Sequence, residues 1–180
     1  MKRRLWQPGY KTISIIVFVF LTAFRGGAQD FFAGARGGAS LDSAKGRFYE
    51  AEAFAGWKMP WCWNFYSDWT LRPYTDLSSG WITGRDADGF IATMGPGAEL
   101  RFGSFPIFLE GGESPTLLSR YNFGRTDFGQ RFQFTSHVSL EWDITKNFTM
   151  GFRFQHMSNA GLATPNPGLN IEMLSARLNF

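Results

Sequence analysis

Apolar and polar residues alternate along most of this chain with a period of two. From Arg131 to Asp143 the even positions are Phe132, Phe134, Ser136, Val138, Leu140 and Trp142. The odd positions are Arg131, Gln133, Thr135, His137, Ser139, Glu141 and Asp143. Successive side chains on a strand point to opposite faces, so this segment has one greasy face and one polar face. Phe148, Met150, Phe152 and Phe154 alternate with Thr149, Gly151, Arg153 and Gln155 in the same way. So do Leu174, Ala176, Leu178 and Phe180 with Ser175, Arg177 and Asn179. In Phe90–Phe102 the pattern is interrupted by Pro96, which predicts a bulge or a locally unpaired position. Tyr49–Trp57, Trp69–Leu77, Phe105–Gly111 and the Gly-rich run Phe31–Ala39 complete a count of about eight strands. Helical periodicity is nearly absent after the first 28 residues.

The connections sharpen this reading. Gly103-Ser104 and Ile144–Asn147 are short turns, whereas Glu113–Gln130 reads as a long polar loop. Short turns on one side and long loops on the other are the habit of transmembrane β-barrels. The chain ends on Phe180, and a terminal aromatic on an alternating strand resembles the sorting signal of outer-membrane barrels. The expected fold is therefore an all-β, eight-stranded antiparallel outer-membrane barrel, with its last two strands joined on the outside through Asn159–Gly168. In that frame His137, Arg131, Arg153, Glu141, Glu99 and Arg101 face a lumen packed with polar side chains, which is no pore. Trp61, Trp63, Trp69 and Trp81 mark the membrane interfaces.

Composition agrees once the N-terminus is set apart. Aromatics make up 18% of the 180 residues, yet the mean hydropathy is only −0.18. A greasy outside and a polar lumen average to such a value. Lys2, Arg3, Arg4 and Lys11 precede an apolar stretch, Ile13–Phe24, that is short for a membrane helix of about 20 residues. Small residues Gly26 and Ala28 follow. This is the pattern of a secretory signal peptide over residues 1–28, with the barrel domain over residues 29–180. The leader holds five of the 18 basic residues and no acidic one, so the remainder carries 13 basic against 15 acidic residues, a net charge of −2. The high isoelectric point thus belongs to the leader, and nucleic-acid binding is not expected. One cysteine, Cys62, excludes an internal disulfide, and with two histidines makes a zinc site improbable. Cys62 is expected to be an inert, packed thiol.

Candidate chemistry sits at the outer end of the seventh strand. His156 and Ser158 continue the even, lipid-facing register of Phe148 to Phe154. Polar groups aimed at lipid are costly unless they have work to do there. A Ser two residues from a His on one face suggests a nucleophile beside its base. The imidazole needs a third group to orient it. Asn170 and Glu172 share the lipid-facing register of the next strand, and either could reach His156. A carboxylate is the stronger partner for an imidazolium, which favours Glu172.

The run His156-Met-Ser-Asn-Ala-Gly-Leu-Ala-Thr-Pro-Asn-Pro-Gly-Leu169 closely resembles the lipid A 3-O-deacylase (PagL-type) family. The likeness is clear over the last two strands, and strand count and length agree elsewhere. It implies an eight-stranded outer-membrane barrel with a Ser-His-Glu triad on its outer surface, hydrolysing the ester-linked acyl chain at the 3 position of lipid A. By motif position Ser158 matches the nucleophile and His156 the base. Asn159 and Gly161 match the turn that supplies oxyanion-hole donors. At the position of the family's Glu this chain has Asn170, with Glu172 one same-face step further along. The implied partners are lipid A or lipopolysaccharide as substrate and the surrounding outer-membrane lipids, with no cofactor or metal; a homodimer is compatible with the sequence. The implied location is a Gram-negative outer membrane with the site towards the outer leaflet. A barrel that has lost catalysis, and an esterase for another outer-leaflet lipid, are the competing readings.

Overall fold

The computed structural model describes residues 30–40, 46–66 and 68–180; the expected signal peptide and its cleavage point lie outside them. Eleven strands are present: β1 Phe31–Ala39, β2 Tyr49–Lys58, β3 Trp63–Phe65, β4 Trp69–Thr83, β5 Asp88–Phe102, β6 Ile107–Leu118, β7 Asn122–Phe123, β8 Thr126–Asp127, β9 Phe132–Asp143, β10 Phe148–Ser158 and β11 Leu169–Asn179. Eight of them, all but the short β3, β7 and β8, pair antiparallel with their neighbours in sequence. β1 pairs with β11, and β2 with β4, which closes the ring. Closure leaves no strand edge unpaired, the condition a sheet must meet to cross lipid.

Burial alternates along most of the barrel strands, and it runs opposite to that of a water-soluble core. On β9, Gln133, Thr135, His137, Ser139 and Glu141 are buried, while Val138, Leu140 and Trp142 are exposed. The lumen is filled by a charged and hydroxyl network. Arg177 reaches Glu110 at 2.6 Å and Glu99 at 3.2 Å, and Lys58 reaches Glu99 at 3.0 Å. His137 lies 3.0 Å from the Tyr74 hydroxyl. Midway down, the space among Arg36, Asp76, Glu110, Arg153 and Arg177 is about 20 Å³, room for roughly one water and no channel.

Several expectations shift. The segment Glu113–Leu118 belongs to β6 rather than to a loop. Its alternation was masked by Gly111, Gly112 and Pro115. Of the two readings of Pro96, the locally unpaired position holds and the bulge does not: β4 and β5 keep one register through Thr75–Pro96, while β5 and β6 lack ladder pairs between Thr93 and Gly97. The missing amide hydrogen leaves a gap on one side only. Arg131 is exposed just outside β9 and does not enter the lumen. Cys62 is exposed instead of packed, because its segment lies beside the barrel end. That segment turns back as β3 on the start of β4, pairing Trp63 with Leu71 and Phe65 with Trp69.

At the long-loop end the lumen turns apolar. Met157, Leu169, Ile171 and Met173 point inward and join Phe48, Ile82, Ile91, Leu118, Phe123 and Phe128 in one buried cluster. The rings of Phe48, Phe123 and Phe128 stand 5.8 Å apart, centre to centre. This plug backs the end of β10 and the start of β11 from within. It fixes the strands whose outward residues form the candidate site.

Candidate active site

The site is assembled by strand register. β10 and β11 pair His156 with Asn170, β10 and β9 pair His156 with Ser136, and β6 and β9 pair Glu113 with Ser136. Glu113, Ser136, His156 and Asn170 therefore form one rung across four strands, all exposed on the outer face. Ser158 stands one rung nearer the loop end, opposite Phe134 and half-buried. Met157, between His156 and Ser158, points into the apolar plug. Anchoring that inward residue holds both outward neighbours.

Nδ1 of His156 lies 2.6 Å from Oδ1 of Asn170. With the amide oxygen accepting, Nδ1 carries the proton, and Nε2 is left with its lone pair free. Glu172 is on the same face but one rung deeper, opposite Phe154 and Ala39. Diagonal neighbours on paired strands stand roughly 7–8 Å apart. Among the described residues the Glu172 carboxylate makes no hydrogen bond or ion pair. The amide, and not the charge-favoured carboxylate, is thus the group in contact with the imidazole. Among the described residues no hydrogen bond joins Ser158 to His156. In the absence of substrate such bonds are often long.

Gly168 is packed against the imidazole. It has φ +63, and a Cβ there would stand 2.9 Å from Cε1 of His156. Only a residue without a side chain fits both the backbone and the ring.

The loop between β10 and β11 is organised around Asn159, which is fully buried. Its side-chain amide donates to the carbonyls of Phe128, Ala163 and Pro165 at 3.0, 3.1 and 3.0 Å. Its Oδ1 accepts the Gly161 N–H at 2.9 Å, and its own N–H donates to Oδ1 of Asn166 at 3.0 Å. Both N–H groups expected to face an oxyanion are thus engaged within the loop. Between them, Ala160 has φ +53, a left-handed conformation that costs a residue with a Cβ about 1–2 kcal/mol. Its N–H has no acceptor among the described residues.

Two members of the rung are not apparent from the motif. Ser136 donates a short hydrogen bond to Oε2 of Glu113. Ser136 is visible as a polar break in an apolar face, but Glu113 is hidden while its segment reads as a loop.

A closed antiparallel barrel that is apolar outside, polar and filled inside, with a polar rung cut into its outer face, defines an outer-membrane β-barrel protein. The comparisons make this more specific. The family model for "Lipid A 3-O-deacylase (PagL)" matches residues 49–179. The lipid A deacylase PagL of Bordetella bronchiseptica is 30% identical over 151 residues, covering 81% of this chain and 84% of that protein. The crystal structure of the outer-membrane enzyme PagL superposes with a TM-score of 0.69 at 22% identity, over 83% of this chain and 99% of that one. Neisserial surface protein A matches less well, at a TM-score of 0.54 and 17% identity over 86% and 100%. The chain belongs to the lipid A 3-O-deacylase (PagL) family, and is an outer-membrane ester hydrolase.

Proposed function

We propose that this chain removes the ester-linked acyl chain from the 3 position of lipid A, and that it does so on the outer, lipid-facing surface of the barrel. Ser158 is the nucleophile, His156 the base, and Asn170 the group that orients the imidazole. The contact of His156 Nδ1 with Asn170 Oδ1 at 2.6 Å carries this reading, because it turns Nε2 into an acceptor on the face that also bears Ser158.

The chemistry follows from that tautomer. Nε2 of His156 takes the Ser158 hydroxyl proton as Oγ attacks the ester carbonyl carbon. The carbonyl oxygen becomes an oxyanion and is met by backbone N–H groups of the following turn. The Ala160 N–H serves without rearrangement, whereas those of Asn159 and Gly161 must first release their partners. The bond to the sugar oxygen then breaks, and that oxygen takes the proton from His156. Water, deprotonated by His156, attacks the acyl-serine; the bond to Ser158 Oγ breaks, Oγ takes the proton back from His156, and the fatty acid is released.

The test is expression of the chain and its Ser158→Ala and His156→Ala forms in a Gram-negative host, with lipid A analysed by mass spectrometry. Loss of one acyl-chain mass in the parent, absent in both variants, is expected. Unchanged lipid A beside a folded parent barrel would reject the reading and leave a barrel without this catalysis or an esterase for another lipid.

A further inference from the structure

The barrel has a second opening, at the end away from His156, where the turns at 103–106 and 144–147 join the strands. In outer-membrane barrels the short turns face the periplasm. A cavity of about 450 Å³ lies there, and its walls include Lys58, Arg72, Glu99, Arg101, Asp143 and Lys146. It is a blind mouth, since the polar network midway down the lumen leaves only about 20 Å³. The deacylation chemistry at Ser158 makes no use of it.

The carboxylates of this mouth are already engaged. Glu99 accepts Lys58 at 3.0 Å and Arg177 at 3.2 Å on Oε1, and Arg101 at 3.1 Å on Oε2. Asp143 accepts Arg101 at 2.8 Å and the Thr149 hydroxyl at 2.7 Å. Arg72 donates to Asp30 at 2.5 Å and to the Met59 carbonyl at 3.0 Å. Donors are left over. Nη2 of Arg101, Nη1 of Arg72 and the ammonium group of Lys146 have no acceptor among the described residues. The Arg101 fork is held in place by Phe108, whose ring centre is 3.4 Å from the guanidinium carbon. Asn179, buried in the same wall, has an Oδ1 without a partner. A buried polar atom left in this way calls for a partner.

A single solvated cation needs no explanation. Here cations from β2, β4, β5 and the turn after β9 line one cavity, its carboxylates are engaged, and N–H groups remain to spare. Such a wall is a receptor for anionic oxygen. A carboxylate offers two oxygens, whereas a phosphate ester offers three and more charge. We propose that this mouth binds a small phosphate ester, its phosphate held by Arg72, Arg101 and Lys146 and flanked by Lys58. The cavity has room for the esterified group as well. The site is independent of Ser158 being the nucleophile. Its ligand comes either from a soluble periplasmic ester or from the headgroup of a phospholipid in the periplasmic leaflet, leaning over the turn at 103–106. The experiment separates the two.

The full barrel is folded in nonionic detergent, with folding checked by the different gel mobility of unheated and heated samples. It is titrated with glycerol phosphate by calorimetry at fixed ionic strength, with succinate and glycerol as comparators. Glycerol phosphate is expected to bind saturably and about ten-fold or more tighter than succinate, and glycerol not at all. Lys146→Glu is expected to weaken binding by about ten-fold or more, the scale of a lost hydrogen bond between charges. Lys146→Arg should keep it, and Arg85→Glu, at the opposite end, should leave it unchanged. Lys146 is exposed in a turn, so its variants keep the barrel fold. Absent or unsaturable binding, succinate bound as tightly, or full affinity in Lys146→Glu would overturn the site. The titration is then repeated in phosphatidylcholine nanodiscs containing phosphatidylglycerol or an equal charge of fatty acid. Affinity lowered by phosphatidylglycerol alone sustains the site and assigns it to lipid headgroups. The same affinity with either additive sustains it and assigns it to a soluble ester.

Discussion

His156 and Asn170 meet across one rung of β10 and β11, Nδ1 to Oδ1 at 2.6 Å, so the imidazole is held by a neutral amide. An amide fixes the ring and its tautomer. It does little for the positive charge that the ring gains when Ser158 is deprotonated, since hydrogen bonds to an ionised partner are roughly twice as strong as neutral ones. Asn170→Glu is one methylene longer than the asparagine and adds that charge. It is expected to raise kcat by about ten-fold, equivalent to about 1.4 kcal/mol of barrel-bound transition-state stabilisation. Asn170→Ala should lower it by a similar factor. Initial rates of deacylation by mass spectrometry check both; an unchanged rate in each would remove Asn170 from the site.

Glu172 is the contrasting case. It is the one carboxylate of β11, yet it sits a rung deeper, opposite Phe154 and Ala39, and does not touch His156. Glu172→Gln is expected to change kcat by less than about two-fold, because among the described residues this carboxylate makes no hydrogen bond, and it stands a diagonal step of roughly 7–8 Å from His156. A large loss of kcat in this variant would show that β11 shifts, or the side chain swings, when substrate is bound.

The difference between these two residues marks where sequence reasoning reached its end. Period-two alternation placed His156, Ser158, Asn170 and Glu172 on one face, since that depends only on position within a strand. Which of Asn170 and Glu172 opposes His156 depends on register, and register is set by the loop between the strands. The loop's conformation rests on Asn159, whose partners include Phe128, far away in the chain. Glu113 was concealed for a local reason: two glycines and a proline flank it and blur the alternation of β6. The apolar plug behind the site was equally hidden. Leu169, Ile171 and Met173 are apolar on the face that is polar further along β11, at Ser175 and Arg177.

Gly168 tests how closely the imidazole is seated. An alanine Cβ would lie 2.9 Å from Cε1 of His156, and the backbone there has φ +63. The ring must move, and the left-handed conformation adds a cost of about 1–2 kcal/mol. Gly168→Ala is expected to lower kcat at least ten-fold while the barrel keeps its heat-dependent gel mobility. Retained activity would mean that the ring tolerates displacement from its Asn170 contact.

Asn159 governs the loop as a whole. Replacing it with alanine strands the carbonyls of Phe128, Ala163 and Pro165 and releases the Gly161 N–H. Each lost bond is worth about 1 kcal/mol, so the loop loses a few kcal/mol of local stability while the barrel ladder is untouched. Asn159→Ala is therefore expected to give a folded barrel that proteases cut between residues 159 and 168, with deacylation reduced at least ten-fold. The two effects are predicted together, because the turn that carries the Ala160 N–H is shaped by the same side chain. A variant that resists cleavage and keeps its rate would show that Asn166, the prolines and the β10–β11 ladder suffice to shape the turn. A variant that is cut yet remains active would separate loop order from catalysis and take the oxyanion donors out of this turn.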